Sequence, residues 1–261
     1  MKPAVLPLVA VDIGNSRVKL GLFDELPHED FPVPRAAIGL TADWKPDEIE
    51  NWLENQPVLQ SWRIASVNRA GAARLVRWLE TRHAESVKLL RAADLPLEVA
   101  VPAPDAVGVD RLVNAVAANR LRQPDRPAIV VDVGTAITVD LISESGAFCG
   151  GSILPGIATS ARALHEFTDL LPLSEMVELA GPPSPLGTST IDALKSGLFW
   201  GAVGGVSELI VRLSSGLATP QVFLTGGAAP SVAALLRLPD GHGAQYVPHL
   251  TLGGIALSAV R

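Results

Sequence analysis

The residues best placed to do chemistry in this 261-residue chain are two aspartates set in one repeated phrase. The copies are Val9-Ala10-Val11-Asp12-Ile13-Gly14-Asn15-Ser16 and Val130-Val131-Asp132-Val133-Gly134-Thr135-Ala136. Each is an apolar run that delivers one carboxylate and then turns on a glycine. A buried strand ending this way aims a carboxylate and backbone N–H groups into one crevice, which suits a magnesium-bound polyphosphate. A single Asp-Gly turn is also what an ordinary hairpin needs, but its return in the same register points to a duplicated unit. Phosphoryl transfer asks a protein to position phosphates, neutralise their charge and align the nucleophile. Asn15, Ser16, Thr135 and Ala136 would supply further N–H or hydroxyl groups. Lys19 reads either as added positive charge or as a solvated edge-strand lysine.

A third carboxylate, Asp110, sits beside Arg111 in Gly108-Val109-Asp110-Arg111, after a loop with three prolines. A helix N-terminus and a neighbouring guanidinium both favour its ionised form, giving a weak but available base. That is adequate where the substrate hydroxyl loses its proton late. Arg111 could pair with a carboxylate or a moving phosphoryl group; the same pair also reads as an ordinary helix-start acid with a surface arginine. The turn Thr225-Gly226-Gly227 would let a flat ring approach the backbone, or simply start a helix at positive φ. Neither G-x-x-x-x-G-K-[ST] nor G-x-G-x-x-G occurs. The five histidines lack metal-ligand spacing, and Ser152 and Ser160 lack a nucleophile elbow.

The elements that must carry these residues follow from pattern. Residues 5–11 read as a buried strand and Arg17–Phe23 as its hairpin partner. Helices are expected over Pro46–Gln56, Arg69–Arg82, 108–122, Ala158–Phe167, Thr190–Leu213 and Pro230–Leu238, with strands at Trp62–Val67 and Gln221–Leu224. Both halves thus hold an Asp-Gly hairpin followed by strand, tight turn and helix. Gln123-Pro124-Asp125-Arg126-Pro127 has linker composition, which places two α/β domains at residues 1–122 and 123–261. Gly197, Gly201, Gly204 and Gly205 would let the long helix pack closely.

Composition narrows the partners. With 48% hydrophobic and 18% charged residues the chain is globular. Its formal charge of −6 and the lack of a basic run with aromatics argue against nucleic acid. The single cysteine, Cys149, excludes a disulfide framework and points to a reducing compartment. Pro3–Val11 follows Lys2, but two prolines and the abutting Asp12 speak against a secretory signal. No apolar run is expected to reach the ~20 residues of a membrane span.

In order along the chain, these motifs resemble the type III pantothenate kinases, of the superfamily that includes acetate kinase, sugar kinases, actin and the heat-shock ATPases. Asp12-Ile-Gly-Asn-Ser with Lys19 is similar to the family's D-x-G-N-[TS]. Gly108-Val-Asp-Arg111 is similar to G-x-D-R, and Asp132-Val-Gly-Thr-Ala-Ile-Thr-Val-Asp140 to D-x-G-T-A-x-T-x-D. Gly150–Gly156, Gly187–Gly197, Thr225-Gly-Gly227 and Pro248–Gly254 follow in place. The resemblance implies two duplicated ribonuclease H-like domains, each a mixed sheet with flanking helices, with a cleft between them. It implies ATP-dependent phosphorylation of pantothenate, the first step of coenzyme A synthesis, by a cytoplasmic homodimer that touches neither membrane nor nucleic acid. It also implies Mg2+ and a monovalent cation, K+ or NH4+.

Carried over residue by residue, Asp110 would be the base, and Gly108, Val109, Arg111, Thr190 and Val101 would line the pantothenate site. Asp12, Gly14, Asn15, Ser16, Lys19, Gly134, Thr135, Ala136, Gly226 and Gly227 would bind ATP. Asp12 would serve Mg2+, in part through water, and Asp132 the monovalent cation. The chain departs from the pattern in having Val101 three residues before Pro104, where the family often has Tyr, and Ser189 where Asn is usual. The first puts one pantothenate contact in question. The rival readings are a superfamily kinase for a sugar or small acid, and a non-catalytic regulator that would be expected to have lost a carboxylate.

Overall fold

Two apolar runs, each followed by a glycine turn, become the central strands of two sheets. A computed structural model describes residues 6–54, 61–82, 86–174, 181–236, 238 and 243–260. In chain order the elements are β1 (Leu8–Ile13), β2 (Arg17–Phe23), β3 (Ala36–Thr41), α1 (Pro46–Leu53), β4 (Ser61–Ser66), α2 (Arg69–Thr81), β5 (Ser86–Leu89) and α3 (Val109–Leu121). There follow β6 (Ala128–Val133), β7 (Ala136–Ile142), β8 (Phe148–Pro155), α4 (Ile157–Glu166), α5 (Thr190–Leu213), β9 (Gln221–Thr225), α6 (Ala229–Ala233), β10 (Gln245–Tyr246) and α7 (Leu250–Leu257). Val5, Asn55, Gln56 and Arg237, inside expected elements, lie outside the described residues.

The first sheet runs β3-β2-β1-β4-β5 and the second β10-β9-β6-β7-β8. In each, the Asp-bearing strand pairs antiparallel with its hairpin partner on one side and parallel with a later strand on the other. This is the mixed α/β, duplicated architecture that the repeat implied. Alternation along β1 sends Val9, Val11 and Ile13 into a core with Ile49, Leu75, Leu79 and Trp44, where each fully buried aliphatic side chain stabilises by about 1.5–3 kcal/mol. Trp78 meets Trp44 and Trp62 edge-on at centroid distances of 6.0 and 6.3 Å. In the second sheet Ile129, Val131 and Val133 pack with Phe199, Val203, Val206 and Ile210 of α5.

Three expectations change. The chain forms two compact units, one of residues 1–121, 146–148 and 249–261, the other of 122–145 and 149–248. Residues 249–260 therefore pack with the first unit, not the second. The physical reason is α7, buried on every side and laid against α3 and β1; a helix apolar all round must be enclosed. Second, α6 spans five residues rather than running on from Pro230 to Leu238. Third, α5, with 24 residues, is long and apolar enough to cross a membrane by length and composition, although its Phe199, Val203, Val206 and Ile210 lie in the core.

Candidate active site

In the first unit the β1–β2 ladder pairs Asp12 with Lys19, and Lys19 Nζ stands 3.7 Å from Asp12 Oδ2. The Asp12 side chain is 13% exposed, so its carboxylate sits at the rim rather than in the core. The turn is closed by Gly14 N–H donating to the Arg17 carbonyl at 2.9 Å, leaving Asn15 and Ser16 exposed. Two residues back, Ala10 pairs with Gly21, and a side chain on Gly21 would begin 3.0 Å from Leu252 of α7. Asp12 and Lys19 therefore end the sheet face that α7 covers. At the start of α7, His249 holds the left-handed conformation at φ 60°. Partial burial, then the charge of Lys19, lower its pKa below the ordinary 6.5. The sequence reading gave His249 no role; its left-handed backbone is invisible in composition.

The same unit holds the Gly108–Arg111 motif. The Gly108 carbonyl accepts from the N–H groups of Arg111 and Leu112 at 3.1 and 3.4 Å and so starts α3. Asp110 turns its carboxylate back on this first turn, where Oδ1 accepts from the Arg111 N–H at 2.8 Å. A Cβ on Gly108 would lie 2.5 Å from that oxygen, so a larger residue there would push the Asp110 carboxylate out of this position. Val109 is buried and anchors the turn. The Arg111 guanidinium lies over Phe148, 5.5 Å from the ring centroid. Phe148 is fully buried, and its backbone bonds to both sides of the preceding loop, Ala100 N–H to Phe148 O at 2.8 Å and Phe148 N–H to Glu98 O at 2.9 Å. Half-buried Val101 follows directly. Phe148 thus ties the backbone just before Val101 to the Arg111 side chain, across more than thirty residues of sequence that no local pattern could bridge.

In the second unit Asp132 occupies the position of Asp12, with a turn one residue shorter: Gly134 N–H donates to Ala136 O at 3.0 Å, and Gly134, Thr135 and Ala136 are exposed. Thr135 O accepts from Gly156 N–H at 3.0 Å and from Thr159 Oγ1 at 2.7 Å, which docks the start of α4 on the turn. Gly226 adopts φ +100°, and a Cβ there would stand 2.6 Å from Asp132 Oδ1; its glycine is needed both for the conformation and for the space. A Cβ on Gly227 would meet nothing within 4 Å, so that side of the turn is open. Thr190 begins α5 in this unit, whereas Val101, Asp110, Arg111 and Phe148 belong to the first. Among the described residues no three acidic, histidine or cysteine side chains cluster as a metal cage. Mg2+ in kinases is held by one or two carboxylates together with substrate phosphates, and the single rim carboxylate of Asp12 fits that demand. Asp132 is flanked in its ladder by Thr138 and Thr225, a set of oxygen donors with one negative charge that fits a monovalent ion.

The type III pantothenate kinase family profile matches residues 8–212. A type III pantothenate kinase of Dehalococcoides mccartyi is 36% identical over 260 residues, covering 96% of both chains. Among solved structures, a conserved protein from Campylobacter jejuni, grouped with Baf family transcriptional activators, has a TM-score of 0.58 at 23% identity, over 95% of this chain and 94% of that one. The activator of the 2-hydroxyisocaproyl-CoA dehydratase from Clostridium difficile, with bound ADPNP, has 0.52 at 14% identity, over 97% and 93%. These two likenesses show the fold alone.

Proposed function

Because the chain belongs to the type III pantothenate kinase family, and so is a kinase that phosphorylates pantothenate with ATP in coenzyme A synthesis, we propose the following roles for its residues. Asp110 takes the proton of the pantothenate hydroxyl as that oxygen bonds to the γ-phosphorus of ATP; the bond to the bridging oxygen breaks and ADP leaves. Arg111 holds the pantothenate carboxylate, and Gly108, Val109, Val101 and Thr190 shape the space around the rest of the substrate. Asp12 holds Mg2+ and Asp132 a monovalent cation, K+ or NH4+. When bound, these ions neutralise phosphate charge that the acidic protein alone does not. Gly14, Asn15, Ser16 and Lys19 contact the phosphates, as do Gly134, Thr135 and Ala136; Gly226 and Gly227 receive the adenine.

The observation that carries the reading is the Asp110 carboxylate, held by the Arg111 N–H close against Gly108, next to a guanidinium stacked on Phe148. A base and an anion anchor on adjacent residues suit a substrate with both a hydroxyl and a carboxylate. The enzyme works in the cytoplasm as a homodimer, with neither membrane nor nucleic acid as partner; the open space over Gly197, Gly201 and Gly204 on α5 supports close helix pairing. The test is ADP release with pantothenate, ATP, Mg2+ and K+, each omitted in turn. Turnover should need all four. Release with hexoses but not with pantothenate would overturn the substrate assignment.

A further inference from the structure

The two hairpins differ in what flanks their aspartates. Residues paired across neighbouring strands point to the same face of a sheet. In the first unit Asp12 lies between Lys19 of β2 and Ala65 of β4. In the second, Asp132 lies between Thr138 of β7 and Thr225 of β9. So a Lys-Asp-Ala row in one sheet corresponds to a Thr-Asp-Thr row in the other. Thr225 is 4% exposed. The Thr138 Oγ1 is shielded from solvent and has no hydrogen-bond partner, so it does not close a bond to the Asp132 carboxylate. A shielded hydroxyl left without a partner calls for an explanation, and a bound ion is one.

We propose that the Thr138 and Thr225 hydroxyls are neutral oxygen ligands to a monovalent cation held by Asp132, the second unit's exchangeable counterpart of the Lys19 ammonium. One carboxylate with two hydroxyls is an all-oxygen set of net charge −1, which suits a hard ion of charge +1. The first unit instead carries its positive charge covalently, 3.7 Å from Asp12. The proposal rests on the assignment of Asp132 to the monovalent cation and adds the residues that set the dependence on it.

The test is thermal unfolding of the full chain with Mg2+ and β,γ-imido-ATP, K+ replacing tetramethylammonium at constant ionic strength. Wild type should be stabilised by K+. Thr138→Val, nearly isosteric, should raise the half-saturating K+ concentration by about 10-fold or more, Thr225→Val should raise it too, and Thr138→Ser should restore it. Thr138→Lys should melt independently of K+. Circular dichroism before melting shows whether each variant is folded, and Thr138→Ser answers the question if Thr138→Val is not. If Asp132→Asn abolishes the K+ response while both valine variants respond as wild type, the threonine assignment is overturned and Asp132 stands. If Asp132→Asn, or the wild type without change, shows that K+ acts elsewhere or not at all, the Asp132 assignment fails and the proposal with it.

Discussion

Lys19 Nζ lies 3.7 Å from Asp12 Oδ2, across a register pair of the β1–β2 ladder. An ion pair this exposed contributes less than about 1 kcal/mol to folding. Its larger effect is on phosphate charge. Lys19→Met should therefore leave the urea midpoint almost unchanged while lowering kcat/KM for ATP by about 100-fold, the scale of losing one electrostatic contact to a transition state. Wild-type kcat/KM in this variant would return Lys19 to the role of a solvated strand lysine.

Asp110 acts on a proton rather than on ATP. Asp110→Asn keeps a side-chain oxygen to accept the Arg111 N–H, now at 2.8 Å, so the first turn of α3 should survive. The expected result is kcat reduced ~100-fold or more with the KM for ATP little changed. Steady-state rates at saturating pantothenate decide this. Unchanged kcat would remove Asp110 from the proton transfer.

α3 and α7 cross tightly at Gly254, where a Cβ would run into the Val113 carbonyl oxygen. Backbone cannot yield as a side-chain tip can, so Gly254→Ala should destabilise by about 1–3 kcal/mol through overpacking. The check is urea unfolding with a lowered midpoint and an unchanged m value. A wild-type midpoint would mean that α7 is loosely held on the first unit.

Local features were legible in the sequence. Both hairpins, α3 and the full extent of α5 follow from period and punctuation, because each is stabilised by residues near in sequence. The placement of α7 and of residues 146–148 was not legible, since chain order says nothing about which unit an apolar helix encloses itself against. Phe148 stayed hidden for the same reason: one buried aromatic among many positions organises Val101 and Arg111 only after the chain returns. The left-handed turn at His249 carries no glycine to announce it.

Ser189 shows a departure from family pattern explained by local chemistry. Its Oγ accepts from the Asp192 N–H at 3.1 Å and bonds to Asp192 Oδ2 at 2.7 Å, capping α5. Ser and Asn are comparable N-caps, so Ser189→Asn should be nearly neutral and Ser189→Ala should cost about 0.5–2 kcal/mol. Chemical unfolding of the pair measures it. Equal loss in both would show that the position matters for something other than its cap.

His249 gives the stability a definite sign with pH. Partial burial, reinforced by Lys19, lowers its pKa below 6.5. Below pH 6.5 the unfolded chain therefore binds a proton that the folded chain resists, and stability falls as pH falls. Above 6.5 the ring is neutral in both states and the contribution is flat. Because the side chain remains exposed, solvent screening keeps the slope shallow. His249→Asn tolerates the left-handed backbone and removes the titration. Its stability should thus lose less than wild type between neutral and acid pH, while the two track one another above 6.5. Urea titrations on both sides of that value, at fixed salt, compare them directly, and parallel curves throughout would show that His249 is not held neutral beside Lys19.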